Sequence, residues 1–138
     1  MSAKDKIHDK VKTAIIKDGW TVTHDPFTIA YGDDTVFADL AAERPFTAER
    51  DGEKIIVEIK SFVGRSSIQD FKTALGQYML YLPAIKELVP EYKLYVAIGE
   101  ATYNSDLQRD IIKLAVDVYK LPLIVVNLAN EEITKWIT

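Results

Sequence analysis

The 138-residue sequence has no cysteine and only two histidines, His8 and His24. Without cysteine it cannot build a disulfide framework, a Cys-ligated zinc site, an iron–sulfur cluster or a thiol nucleophile. Two histidines on different predicted elements give a His-based metal site or a Ser-His-Asp triad little to build on. The sequence also lacks the apolar core of a signal peptide and any apolar run of the roughly 18 residues that a membrane span needs. These absences favour a cytoplasmic protein with no membrane contact.

The charge balance lacks the strong basic excess of many nucleic-acid-binding proteins. Lys and Arg number 17 against 21 Asp and Glu, for a net charge of −4. The lysines near the N-terminus are interleaved with aspartates, which favours a solvated face over a phosphate-binding patch. We therefore expect any DNA binding to be weak unless a partner assists it.

Hydrophobic periodicity predicts one α/β domain over residues 1–138, with a mixed β-sheet flanked by helices. The predicted order is a helix over 4–17, three to four strands with a hairpin, and then alternating helices and strands. The apolar run 123–127 predicts a strand that is buried on both faces. We expect a helix over 105–119 before it and a short closing helix over 130–137 after it. The predicted inner side of the former consists of Ile111, Ala115, Val118 and Tyr119.

The clearest local signal is a β-hairpin with Asp51-Gly52 as its two-residue turn, between predicted strands 46–50 and 53–60. The outgoing strand alternates side chains between two faces, as strands do. A helix follows, which is predicted to be capped at Ser67 and to end at Pro83.

A possible chemical site lies on this hairpin. Glu58 and Lys60 share one face of the outgoing strand, and Asp39 precedes the hairpin. Two carboxylates that converge at a sheet edge are oxygen ligands suited to Mg²⁺. A lysine beside them can stabilise a phosphoryl oxygen or position an attacking water, so these are parts for metal-assisted phosphodiester hydrolysis. The alternative interpretation is a solvated strand face with a surface ion pair.

The predicted turn complicates the pairing of these acids. It places Lys60 opposite Glu43, and it places Asp39 about four residues beyond the position opposite Glu58. Asp39 then reaches Glu58 only if the chain bulges near Pro45, where a proline makes a bulge plausible. Glu43 is therefore the rival metal ligand.

Two residues of the following helix complete the candidate set. Gln77 and Tyr81 lie four residues apart on one side of the helix. The Gln77 amide could hydrogen-bond a phosphate or a metal-bound water, although an ordinary helix-surface position explains it equally. Tyr81 fits the core as well as a site.

Asp39 followed by Glu58-Ile59-Lys60, in an αβββαβ order, resembles the PD-(D/E)XK or restriction-endonuclease-like fold. Gln77-x-x-x-Tyr81 is similar to the extra motif of its RecB-type branch. More narrowly, the whole chain resembles the XisH family, the fdxN-element excision controlling factors of heterocyst-forming cyanobacteria. The segments that carry this resemblance are Ala3-Lys4-Asp5 through His8, Phe37-Ala38-Asp39-Leu40, Ala48-Glu49-Arg50, Val57-Glu58-Ile59-Lys60-Ser61-Phe62 and Gly76-Gln77-Tyr78.

The resemblance implies a role in programmed excision of a DNA element during heterocyst development, together with the partner protein XisI and a separate site-specific recombinase. It also implies an αβββαβ core with an αβα C-terminal extension. The sequence departs from the broad nuclease pattern at Ala38, where a proline commonly precedes the acid. It departs again in the first helix, which has no glutamate to serve as an extra metal ligand. Asp9 or His8 on that helix could substitute as an accessory ligand.

Three functions are therefore open. The first is a regulatory excision factor that works mainly through protein contacts. The second is an active Mg²⁺-dependent DNA endonuclease that uses Asp39, Glu58, Lys60 and Gln77. The third is a catalytically silent module for heteromeric interaction. A homo-oligomer is compatible with each, and we expect Trp136 to be exposed and available for an interface.

Overall fold

A computed structural model describes residues 3–44 and 52–138, with side chains from Ile7 onward. Four helices and eight strands occur in the described ranges: α1 (Ala3–Lys17), β1 (Thr21–His24), β2 (Phe27–Tyr31), β3 (Asp34–Ala38), β4 (Leu40–Arg44), β5 (Glu53–Ile59), α2 (Ser67–Leu88), β6 (Tyr92–Gly99), α3 (Glu100–Asn104), α4 (Asp110–Tyr119), β7 (Leu123–Asn127) and β8 (Glu132–Ile137). A 3₁₀ turn, Asp106–Gln108, separates α3 from α4.

Six of the strands form one mixed sheet in the order β1-β4-β5-β6-β7-β8. The central pairs β5–β6 and β6–β7 are parallel, and the other pairs are antiparallel. Strands β2 and β3 form a separate antiparallel ribbon, which is inserted between β1 and β4. The predicted α/β class with a mixed sheet between helices is confirmed.

Helix α1 covers one face of the sheet. Its apolar stripe, which includes Val11 and Ile15, is fully buried against β4, β5, β6 and β7. Lysines on α1 hold the β7–β8 turn, because Lys10 Nζ donates to Leu128 O at 3.3 Å and Lys17 Nζ donates to Asn130 O at 2.9 Å. The opposite face of the sheet is covered by α2, α4 and the ribbon.

Helix α2 begins and ends differently from the prediction. Its N-cap is Ser66, whose hydroxyl accepts from Gln69 N at 3.2 Å, and Ser67 is the first helical residue. The helix continues through Pro83 to Leu88. A proline there removes one backbone donor. Because Pro83 is on the exposed side and Ile85 is buried behind it, packing holds the helix together beyond that point.

The closing helix predicted over 130–137 is wrong, because this segment is the edge strand β8, and the αβα extension therefore ends in a strand. A bulge between Ile133 and Lys135 inserts one residue into its pairing with β7. Residues three apart in a regular strand face opposite sides, and this spacing is more typical of a helix. The extra residue brings Ile133 and Trp136 to the same side, where both pack on the core under α1. Trp136 is half-buried against Trp20 and Tyr95, with ring centroids 5.7 and 5.2 Å away.

The predicted hairpin register is also wrong. Leu40 pairs with Val57 and Arg44 pairs with Glu53, a register that differs from the one predicted from a two-residue turn at Asp51-Gly52. Glu43 pairs with Lys54, near the start of β5, and not with Lys60. The predicted strand 46–50 and the Asp51 turn position lie outside the described residues.

In the described part of the chain, no helix is both long enough and apolar enough to cross a membrane.

Candidate functional site

Asp39 lies where the chain leaves the ribbon and enters the main sheet, between β3 and β4. Its Oδ2 accepts a hydrogen bond from the Ile59 backbone N–H at 2.7 Å, which ties the carboxylate to the end of β5. The side chain is 15% exposed. The contact is charge-assisted and short, so it fixes the orientation of the carboxylate.

Glu58 is the only buried charged side chain among the described residues, at 5% exposed. Leu40 pairs with Val57. The same register, taken one residue further, places Asp39 opposite Glu58. The β4–β5 register therefore places these two acids near each other. Glu43 was the rival metal ligand because the predicted register placed it opposite Lys60. In the structure Glu43 lies at the other end of the β4–β5 pair, away from Glu58.

Lys60 follows β5 and remains attached to the sheet. Its backbone N–H donates to Ala97 O on β6 at 2.9 Å. The Lys60 ammonium lies 3.9 Å from Glu58 Oε2, and its side chain is 17% exposed. A cation thus lies beside the acid pair, at the carboxyl end of a parallel strand.

Tyr81, on α2, lies near both acids. Its ring is buried, and burial raises the pKa of the Tyr81 phenol. The negative charges of Glu58 and then Asp39 raise this pKa further, so both carboxylates lie within electrostatic range of the Tyr81 phenol. Tyr81 consequently belongs to the core and to the acid cluster at once, and its phenol stays protonated at neutral pH.

Gln77 lies one helical turn before Tyr81. Its Oε1 atom is buried and has no hydrogen-bond partner among the residues that the structure describes. A buried acceptor without a donor costs roughly 1–3 kcal/mol, so such an atom is informative. It is suited to a donor from outside the chain, such as a water molecule.

His8 approaches the acid pair from α1. Its Nδ1 lies 3.9 Å from Asp39 Oδ1, and its Nε2 lies 2.9 Å from Asp25 Oδ1. Asp25 also accepts from Lys12 Nζ at 2.8 Å. Burial raises the pKa of Asp25, but the Lys12 hydrogen bond and the charges of His8 and Lys12 outweigh it, so this pKa is lowered overall. Asp9, the next residue of α1 after His8, points in a different direction and is exposed.

Asp25 is the member of this cluster that sequence reasoning missed. In the sequence Asp25 directly precedes Pro26, a pattern that is typical of a turn. Its contact with His8 depends on how α1 crosses the sheet, and no local pattern encodes that crossing.

The residues present fit a hard cation with few protein ligands. In the described ranges no three His, Cys, Asp or Glu side chains form a group that could hold a metal alone. Mg²⁺ commonly takes one or two carboxylates and keeps several waters, so Asp39 and Glu58 are the two residues that could hold it here.

The model of the XisH protein family matches residues 1–134 of the chain. None of the curated proteins is significantly similar to it. Two solved structures are similar over nearly the whole length. An XisH family protein from Nostoc punctiforme PCC 73102 is 39% identical with a TM-score of 0.87, and the match covers 97% of this chain and 100% of that one. An fdxN element excision controlling factor protein from Anabaena variabilis is also 39% identical with a TM-score of 0.84, and the match covers 97% of this chain and 99% of that one.

Proposed function

Because the chain belongs to the XisH family, we propose that it is a controlling factor for excision of a DNA element, the fdxN element, during heterocyst development. The observation that carries this proposal is the near-complete match, at 39% identity, to a protein described as an fdxN element excision controlling factor. On this proposal the chain acts with an XisI-like protein and a separate site-specific recombinase.

The charge of the chain supports dependence on a partner. A net charge of −4 gives weak electrostatic attraction to DNA, whose phosphates dominate the affinity of most DNA-binding proteins. A partner that supplied basic surface would compensate for it. We expect the isolated chain to bind duplex DNA weakly and its complex with an XisI-like protein to bind more tightly.

The proposal is tested in a heterocyst-forming cyanobacterium that lacks its own XisH protein. Expression of this chain should restore excision, measured by amplification across the rejoined ends of the element. An XisI-like protein should co-purify with the chain at micromolar concentration. The control strain expresses the resident protein in the same amount. If the resident protein restores excision and this chain does not, the proposal is overturned.

The second candidate is a Mg²⁺-dependent DNA endonuclease with a restriction-endonuclease-like core. The observation that favours it is the convergence of Asp39, Glu58 and Lys60 at one end of β5. Asp39 and Glu58 would hold the metal, which when bound would offset charge on a scissile phosphate. The Lys60 ammonium would donate to a phosphoryl oxygen, and Gln77 Oε1 would accept from an attacking water. The protonated Tyr81 phenol would supply a further donor.

A cleavage assay separates the candidates. The chain is incubated with branched and linear DNA, with Mg²⁺ or with a chelator, alone and with the XisI-like protein. Lys60→Ala should abolish any cleavage, whereas Lys54→Ala, at the opposite end of β5, should not. Equal cleavage by wild type and Lys60→Ala would refute the role of this lysine. Restored excision by a Lys60→Ala chain without any cleavage would favour the silent interaction module.

A further inference from the structure

The outer face of α2 is a long exposed surface that the candidate site does not use. The outer face is made of the exposed residues of this helix that recur at helical spacing: Lys72, Thr73, Gly76, Met79, Leu80, Pro83, Lys86 and Glu87. Its centre is apolar, with Met79 51% and Leu80 67% exposed. An apolar centre with polar ends is the anatomy of an interface core and rim.

The β2–β3 ribbon turns this face into one side of a groove. Ile29 and Val36 are a cross-strand pair, and together with Tyr31 they line the ribbon side. Met79, Leu80, Pro83 and Ala84 line the helix side, and the groove between them has a volume of about 650 Å³. An amphipathic helix laid into a groove is a common recognition mode.

We propose that this groove is occupied by the same helix of a second copy of the chain, antiparallel to the first, in a two-fold symmetric dimer. The exposed positions of the outer face are arranged symmetrically about the midpoint between Met79 and Leu80. In the antiparallel arrangement Met79 of one copy meets Leu80 of the other, and Gly76 meets Pro83. A two-fold interface requires this kind of self-complementarity.

The charged ends of the outer face specify that orientation. Lys72 lies at one end and Glu87 at the other, and neither has an ion-pair partner in the described part of the chain. Antiparallel packing brings each Lys72 beside Glu87 of the second copy, so two ion pairs form. Parallel packing would place like charges together, which disfavours it.

The exposed stripe on α4 shows that exposure alone does not make a self-complementary face. Ile111, Leu114 and Val118 are each 63% exposed at spacings of three and four. The acids Asp110 and Asp117 flank this stripe on one side, so two copies packed antiparallel would bring acid against acid. The charge pattern therefore selects α2 for self-association, and α4 supplies matched control positions.

Gly76 adds an independent observation. Glycine is, after proline, the least favourable residue in a helix interior. A Cβ atom at Gly76 would meet nothing within 4 Å, so no packing inside the chain requires the glycine. In the dimer Gly76 lies opposite the ring of Pro83, where the absence of a side chain allows the two helices to approach closely.

Sedimentation equilibrium of the full chain over the micromolar range tests the proposal. We expect a monomer–dimer equilibrium for wild type, and Leu80→Asp should raise the dissociation constant at least about tenfold. Leu114→Asp, equally polar and equally exposed on α4, should leave it unchanged. Circular dichroism should show that both variants are folded, since both positions are exposed. A chain that stays monomeric throughout, or a dimer that Leu80→Asp leaves intact, would overturn the proposal.

A charge swap distinguishes a second copy from a different partner. Glu87→Lys alone should weaken the dimer, because lysine then faces Lys72 of the second copy. The double variant Lys72→Glu with Glu87→Lys should restore it, since both copies carry the swap. Failure of the double variant to restore association would refute the antiparallel register.

Because the sequence has no cysteine, a single introduced thiol reports the geometry directly. Leu80→Cys places one thiol from each copy near the two-fold axis and should give a covalent dimer under mild oxidation. Leu114→Cys should remain monomeric under the same conditions. Equal cross-linking of the two variants would show that contact is by random collision and would contradict the proposal.

Discussion

Replacement of Asp39 separates its structural contribution from its role in a site. Asp39→Ala removes the acceptor of the Ile59 N–H, and Ile59 is only 3% exposed. A buried donor left without a partner costs about 1–3 kcal/mol, so we expect a loss near 2 kcal/mol. Asp39→Asn keeps an oxygen acceptor and should lose less than about 1 kcal/mol. Both substitutions also remove the Asp39 charge, so the difference between the variants isolates the hydrogen bond.

Thermal unfolding followed by circular dichroism measures this difference. For a domain of this size about 1 kcal/mol corresponds to roughly 3–5 °C, so Asp39→Ala should unfold at least about 3 °C below Asp39→Asn. Amide exchange at Ile59 should be faster in the alanine variant than in the asparagine variant. Both variants should lose any Mg²⁺-dependent activity, because each removes the charge. Identical unfolding temperatures for the two variants would refute the argument that Asp39 holds β5 in place.

Three further outcomes follow from the same contacts. The pKa of Tyr81 is raised, so the folded state keeps a proton that the unfolded chain loses near pH 10, and stability falls as the pH rises above that value. Glu58→Gln should lower this pKa and make the fall shallower, measured by phenolate absorbance with Tyr81→Phe as the reference. Ser67→Ala removes the 2.6 Å hydrogen bond that lowers the pKa of Asp106, so it should cost about 1 kcal/mol at neutral pH. Urea titration should show this cost shrinking as the pH falls below the usual aspartate pKa and vanishing below the lowered pKa of the folded state. Gly76→Ala should stabilise the monomer by about 0.5–1 kcal/mol, measured by urea unfolding, and should weaken the dimer. No gain in monomer stability would contradict the finding that a Cβ atom at this position has open space around it.

The fold class was predictable because it depends on apolar patterns that burial enforces. The run Leu123–Val126 predicted a strand covered on both faces, and β7 is buried throughout that run. The inner side predicted for the helix over 105–119 was right for Ala115, which packs on the core, and wrong for Ile111, Val118 and Tyr119, which are exposed. Ile112 is the buried residue of α4, and the 3₁₀ turn at Asp106–Gln108 separates this helix from α3.

The candidate site was predictable in composition but not in geometry. Asp39, Glu58 and Lys60 were chosen for their chemistry, and the structure brings them together by a register that the supposed tight turn did not allow. An Asp-Gly pair is typical of a two-residue hairpin turn, but the β4–β5 register differs from the one that such a turn would set. The His8–Asp25 contact joins two elements through the crossing of α1, and that is a tertiary property.

Both edges of the six-stranded sheet are irregular. The β1–β4 pairing shifts register between Val22 and His24, and β8 carries the bulge before Lys135. Regular, flat edges invite strand-to-strand stacking of neighbouring molecules, whereas bulges and charges at an edge prevent it. Concentrated solutions of this protein should therefore resist fibril formation, and straightening β8 by deletion of Thr134 should make the chain prone to aggregate.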